Sequence, residues 1–142
     1  MEKQKYAAIV LAAGSGKRMN SQVHKQYLII QDRPVLYYSL KAFEDSAVDE
    51  IVLVVGKGEE EFCRKEIVDK YGISKVKAIV EGGKERYHSV FEGLKQTSDA
   101  DYVLIHDGAR PFVNQEIIRR CMLEVPEYQA CVVGMPVKDT IK

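Results

Sequence analysis

The sequence predicts a three-layer α/β/α sandwich built on a mostly parallel sheet, and three observations predict it. Short apolar runs alternate with amphipathic helical stretches along the whole chain, the pattern of a sheet with helices on both faces. The runs are continuously apolar, as strands covered on both faces are. Every glycine-rich or charged motif follows the end of such a run, and parallel sheets bind ligands outside the carboxyl ends of their strands.

The elements follow in order. Tyr6–Leu11 reads as the first buried strand. Pro34 is suited to the first position of a helix, in which Leu36, Leu40 and Phe43 share a face. Ile51–Val55, β-branched almost throughout, is a second strand. Glu59–Tyr71 is a charged helix with Phe62, Ile67 and Val68 as inward candidates, and Val76–Val80 is a third strand. A helix from about Glu85 to Gln96 puts Tyr87, Val90, Phe91 and Leu94 on one face. Tyr102–Ile105 is a fourth strand. Asn114 can cap a helix with Ile117, Ile118, Cys121, Met122 and Val125 facing inward. Ala130–Met135 is a fifth strand. The sequence has no internal repeat, low-complexity tract or linker.

Composition narrows the function. The 142 residues fit one compact domain. Lys and Arg number 21, as do Asp and Glu, so no overall basic field exists to hold nucleic acid or an anionic membrane. An anion site must be local. No apolar run approaches the roughly 20 residues of a membrane helix. The opening Met1-Glu2-Lys3-Gln4-Lys5-Tyr6 runs straight into a strand and has no signal-peptide pattern. Cys63, Cys121 and Cys131 are widely spaced and read as reduced thiols in or near a core, which predicts a cytoplasmic protein.

Five motifs carry the chemistry. In Leu11-Ala12-Ala13-Gly14-Ser15-Gly16-Lys17-Arg18-Met19, small residues and two glycines allow close backbone approach. Successive N–H groups there make an anion nest, and Lys17 and Arg18 add positive charge. The Walker pattern fails twice, at Leu11 and Arg18, and the dinucleotide fingerprint fails at Met19. The second strand ends in Val54-Val55-Gly56, without the acid that binds a ribose in dinucleotide sites. The segment is a phosphate loop of another kind or an ordinary strand-to-helix turn. Lys25, in Lys25-Gln26-Tyr27, is placed to reach the same phosphates as a point charge, unless it is simply solvated.

Glu81-Gly82-Gly83-Lys84-Glu85-Arg86-Tyr87-His88-Ser89-Val90 sets paired glycines before a helix N-terminus, a favourable place for polar or anionic groups. Ser89 can donate to a base or phosphate, while His88 reads as a surface residue without a partner, and His24 has no metal-ligand company. In His106-Asp107-Gly108-Ala109-Arg110-Pro111-Phe112, Asp107 can accept from ribose hydroxyls or hold a water of a Mg²⁺ shell. Arg110 can clamp a phosphorylated second substrate; the plain alternative pairs Asp107 with Arg110 across the turn. In Pro136-Val137-Lys138-Asp139-Thr140 the Thr140 hydroxyl can bind a phosphate or merely serve a turn.

Taken together and in this order, the five motifs resemble the 2-C-methyl-D-erythritol 4-phosphate cytidylyltransferase family. The resemblance spans nearly the whole chain, from Ala12-Ala13-Gly14-Ser15-Gly16-Lys17-Arg18-Met19 to Pro136-Val137-Lys138-Asp139-Thr140. It implies a Rossmann-like sheet of the nucleotide-diphospho-sugar transferase type. It also implies reaction of CTP with a phosphorylated sugar alcohol, 2-C-methyl-D-erythritol 4-phosphate, giving CDP-methylerythritol and pyrophosphate, with dependence on Mg²⁺ and a homodimer at full length. Carried onto this sequence, Arg18 and Lys25 would stabilise charge on the triphosphate. Backbone groups at Ala12, Ala13 and Gly83, with Ser89, would read cytosine. Asp107 and Gly108 would hold the ribose, and Arg110 and Thr140 would seat the second substrate.

The sequence departs from the family pattern at His24, where proline is common, and at Lys84, where aspartate is common. It also stops after the Asp139-Thr140 motif, whereas the family continues with further strands, a dimer-forming arm and a late lysine. The expectation is therefore a single nucleotidyltransferase domain over residues 1–142, C-terminally incomplete and part of a longer protein. Two other readings stay open: a ribitol-5-phosphate cytidylyltransferase, and a non-catalytic module that binds CTP without turnover. A Rossmann-type dehydrogenase is disfavoured by the failed fingerprint.

Overall fold

The computed structural model describes residues 4–12, 29–30, 33–108, 113–128 and 130–132. Seven strands and four helices occur among them: β1 Tyr6–Ala12, β2 Ile29–Ile30, β3 Arg33–Pro34, α1 Val35–Glu44, β4 Glu50–Val55, α2 Glu60–Cys63, β5 Val76–Glu81, α3 Arg86–Lys95, β6 Tyr102–Asp107, α4 Gln115–Tyr128 and β7 Ala130–Val132. The five strands β5-β4-β1-β6-β7 form the main sheet in that spatial order. All of its described pairings are parallel. The order runs outward from β1 in both directions, so the connections reverse sense between β1 and β6. A short antiparallel ribbon, β2 with β3, was not foreseen from the sequence.

Side chains alternate between two cores, as strand geometry requires. Ala8, Val10, Ile51, Leu53, Val55 and Leu104 face one layer, where they pack with α1, α2 and α4. Ile9, Leu11, Val52, Val54, Val103 and Ile105 face the other, against Val90 of α3. This is the three-layer sandwich that the apolar runs predict. Phe43, Leu36 and Leu40 of α1 are fully buried, as their spacing requires.

Several expectations change in detail. Pro34 is the N-cap rather than the first helical residue, with φ −65° and ψ 149°; its fixed φ suits either place. The single helix expected over Glu59–Tyr71 is α2 followed by a π-helical stretch, Arg64–Asp69. The wider turn brings Cys63, Ile67 and Val68 onto the sheet together. Phe62, next to that stripe, is 48% exposed instead of inward.

On α3 the difference is larger. The buried positions of this helix are Ser89 and Gly93, while Tyr87, Phe91 and Leu94 are exposed. The helix meets the sheet through small residues because there is no room for more. A Cβ on Gly93 would lie 2.7 Å from Ile9 Cγ2. Asn114 caps α4 as expected, its Oδ1 accepting from the Ile117 N–H at 2.9 Å. Ile118 and Cys121 are buried. Residues 133–135 of the fifth expected strand lie outside the described residues. No helix among the described residues is long and apolar enough to cross a membrane.

Candidate functional site

The carboxyl ends of β4, β1 and β6 line up into one rim. Ala12, the last residue of β1, is in register with Val55, the last residue of β4. Leu11 is in register with Asp107, the last residue of β6. β6 runs two residues further than the apolar pattern suggests, so His106 and Asp107 belong to the strand. Its backbone fixes where they stand. The reversal of strand order lies between β1 and β6, the place where open parallel sheets bind their ligands, and Ala12, Asp107 and Gly108 stand at that point.

Gly108 shows why glycine is required at this point. Its N–H donates to the Leu11 carbonyl at 2.7 Å, pulling the chain after β6 against the end of β1. A Cβ there would sit 2.8 Å from Leu36 Cδ1 and 3.0 Å from the Leu11 carbonyl oxygen. One obstacle is backbone and cannot move aside. Asp107 is half-buried.

The second part of the rim is the β4–β5 edge. The Gly82 N–H donates to the Val55 carbonyl at 2.8 Å. The close approach expected at Gly83 is to the protein itself: a Cβ would fall 2.3 Å from His88 Cβ. His88 is exposed, but it is not without a partner. Its Nδ1 accepts from the Glu85 N–H at 3.2 Å, at the start of α3, and its ring packs on Tyr87 at 4.2 Å. In the neutral ring the proton is then on Nε2. Ser89 follows in the first turn of α3 and is buried.

Acidic groups also gather on this edge. Glu81 Oε2 accepts from the Gly58 N–H at 2.9 Å, and Glu59 Oε1 accepts from the Gly56 N–H at 3.2 Å. The Glu60 carboxyl is raised above its ordinary value, first by desolvation and then by Glu81 beside it. Sequence patterns did not single out Glu59 and Glu60, because the acids of that charged helix read as a solvated face, and Glu81 was quoted only as the start of a glycine motif.

Of the residues singled out from the sequence, the structure brings Ala12, Gly82, Gly83, Ser89, Asp107 and Gly108 to this carboxyl-end rim and the helix turn behind it. Ala13, Gly14, Ser15, Gly16, Lys17, Arg18, Lys25, Arg110 and Thr140 lie outside the described residues. Among the described residues no group of three His, Cys, Asp or Glu side chains could hold a metal by itself. Asp107 offers one carboxylate. That donor set suits Mg²⁺, which takes one or two carboxylates and fills its shell with water and substrate phosphates.

Two supporting residues lie beneath the rim. His106 was read only as part of a motif and Ser39 not at all. The signal for Ser39 was available: a hydroxyl at helical spacing from Leu36 and Phe43, on the inward face of α1.

Comparison with known proteins agrees with this geometry. The family model described as 2-C-methyl-D-erythritol 4-phosphate cytidylyltransferase matches residues 6–142. A protein of that name from Lachnoclostridium phytofermentans is 55% identical over 139 residues, covering 98% of this chain and 60% of its own length. Its namesake from Lachnospira eligens is 56% identical, covering 95% of this chain and 60% of its own length. The crystal structure of 4-diphosphocytidyl-2C-methyl-D-erythritol synthase from Anaerococcus prevotii superposes with a TM-score of 0.70 at 34% identity, over 86% of this chain and 51% of that one. The chain thus spans about 60% of the length of the curated relatives it matches.

Proposed function

The chain belongs to the 2-C-methyl-D-erythritol 4-phosphate cytidylyltransferase family, and from that premise we propose that its protein transfers CMP from CTP to 2-C-methyl-D-erythritol 4-phosphate. The products are CDP-methylerythritol and pyrophosphate. The observation that carries this reading is the junction of β1 and β6. The Gly108 N–H closes on the Leu11 carbonyl, and this sets Asp107 beside the start of the glycine loop.

In this reading Gly14, Ser15 and Gly16 cradle the triphosphate with backbone N–H groups. Arg18 and Lys25 neutralise the charge that builds on it. Backbone groups at Ala12, Ala13 and Gly83, with Gly82 shaping the turn and Ser89 behind it, face the cytosine. Asp107 and Gly108 hold the ribose, and Arg110 and Thr140 seat the acceptor's phosphate. Asp107 would hold Mg²⁺ together with the substrate phosphates, and the ion would supply charge neutralisation there.

A phosphate oxygen of the acceptor attacks the α-phosphorus of CTP. A bond forms there, the bond from that phosphorus to the bridging oxygen breaks, and the electron pair leaves with pyrophosphate. The nucleophile is already an anion, so no strong general base is needed. Positioning and charge neutralisation do the work, as in other phosphoryl transfers. The full-length protein is read as a cytoplasmic homodimer, on the family resemblance.

The test is product analysis. Full-length protein is incubated with CTP, Mg²⁺ and methylerythritol phosphate, and CDP-methylerythritol and pyrophosphate are measured. Ribitol 5-phosphate serves as the control acceptor. Product from methylerythritol phosphate alone is expected. Product from ribitol 5-phosphate alone would reject the acceptor, and CTP binding with no product from either would reject the enzymatic reading.

A further inference from the structure

One buried polar pair is left unused by the chemistry above. His106, the next-to-last residue of β6, is 1% exposed, and its ring packs against Phe43 at 5.6 Å. Its Nε2 lies 3.2 Å from Ser39 Oγ, on the inward face of α1, where Ser39 is fully buried. The same hydroxyl donates to the Gly108 carbonyl at 3.4 Å. With the hydroxyl proton of Ser39 directed to the Gly108 carbonyl, its oxygen accepts from a proton on His106 Nε2. This arrangement makes a chain from the His106 N–H through the Ser39 O–H to the Gly108 carbonyl.

The long second bond gains from the histidine behind it, because hydrogen bonds in series polarise one another. Gly108 is tied from the other side as well, through its N–H to the Leu11 carbonyl. Both backbone groups of the residue after Asp107 are thus fixed. Burying a polar pair among Leu36, Leu40 and Phe43 carries a desolvation cost that apolar residues of the same shape would not incur. What the pair adds is direction: it decides which way the Gly108 carbonyl points.

We propose that His106 and Ser39 are positioning residues for nucleotide recognition, a buried relay that orients the Asp107–Gly108 backbone toward the ribose. The inference rests on reading Asp107 and Gly108 as nucleoside contacts. CTP affinity, by calorimetry, and KM and kcat are measured in the full-length protein for Ser39→Ala, His106→Leu, their combination and His106→Gln. Thermal melting follows the fold. Glutamine is the conservative variant, since its amide N–H can reach the place of Nε2–H.

Ser39→Ala and His106→Leu are each expected to weaken CTP binding about 3- to 10-fold, raising KM for CTP while kcat stays within about twofold. The combination should lose no more than the worse single variant, since one break opens the relay. His106→Gln should restore affinity to within about twofold of the parent. Ser39→Ala removes one oxygen and carries the test alone if His106→Leu does not fold. Single variants that melt at lower temperature but bind CTP as the parent does would overturn the proposal. Additive losses, or a glutamine variant as weak as the leucine one, would do the same. A parent that does not bind CTP would overturn the underlying functional reading instead, and the relay with it.

Discussion

The two ends of the parallel sheet are finished in opposite ways. At the amino end, side chains stitch neighbouring strands together. Lys5 Nζ bridges Glu50 at 3.1 Å and Asp99 at 2.6 Å, and Lys77 Nζ reaches the same Glu50 at 3.1 Å. Asp101 accepts from the Lys5 N–H at 2.7 Å and Asp49 from the Tyr6 N–H at 2.9 Å. Asp99 and Glu50 raise Lys5 above its ordinary pKa by accepting its hydrogen bonds, and Lys5 in turn lowers Asp99.

At the carboxyl end backbone at glycines ties the strands, Gly82 to Val55 and Gly108 to Leu11, with the Glu81 and Glu59 carboxylates accepting from Gly58 and Gly56 beside them. At the amino end charged side chains pair with one another across the strand ends; at Gly82 and Gly108 no side chain projects from the tie. The comparison separates positions that serve stability from positions that serve binding as well.

The largest effect is expected on the carboxyl side. Arg18→Ala or Lys25→Ala should lower turnover on the order of 100-fold or more, as loss of one preorganised donor does. Steady-state kinetics in the full-length protein checks this, and turnover within a few fold of the parent in both variants would remove them from the mechanism. Next is Gly108→Ala, where the added methyl meets the Leu11 backbone. It should destabilise the fold by about 2 kcal/mol, as overpacking does, and weaken CTP binding at least about tenfold by parting β6 from β1. Urea unfolding and calorimetry read the two effects separately. Loss of stability with intact CTP affinity would break the link between the strand junction and the site.

At the amino end, Glu50→Gln should lower the melting temperature by about 2–5 °C and leave CTP affinity within about twofold. A large loss of affinity would show that the two rims are not independent.

The smallest effect is a pH dependence at the amino end, in the turn that leads into β5. Burial acts to raise the Glu44 carboxyl, yet the Ser74 hydroxyl, the backbone N–H groups of Lys75 and Ser74 and the Lys75 charge together hold it below its ordinary 4.5. The carboxylate thus latches the end of α1 to the turn before β5. A depressed folded pKa contributes stability that is present above the unfolded value and lost as pH falls through the folded one. Glu44→Gln should therefore lose stability at neutral pH and narrow its difference from the parent below about pH 4. Parallel melting curves of the two proteins at all pH values would contradict this.

Much of the fold was legible because the strands are buried on both faces. Ala7–Ala12 and Ile51–Val55 have no polar residue to dilute the signal, and α1 shows its apolar stripe plainly. α3 was misread for a physical reason. Its large residues mark a face by periodicity, but Gly93 must pass close over Ile9, so the small residues turn inward. The π-helical stretch is invisible to a search at 3.6-residue spacing, because it exists to bring Ile67 and Val68 inward together.

At the site, the glycines and Asp107 stood out through spacing after strand ends. Ser39 and His106 did not. The inward place of Ser39 could be read from its spacing to Leu36 and Phe43, but its meeting with His106 depends on how β6 packs against α1, which no local pattern encodes. His88 was read as unpartnered for a similar reason: its partner is the backbone N–H of Glu85, and only the turn geometry reveals it.

The central claim is that the rim at the ends of β1 and β6 is a cytidine nucleotide site. Calorimetric titration of the chain with CTP and Mg²⁺, with ATP and GTP as controls, tests it most directly. The account predicts saturable binding of CTP with one nucleotide per chain, and at least about tenfold weaker binding of the purine nucleotides. Folded protein that binds none of them, or binds all three alike, would contradict it.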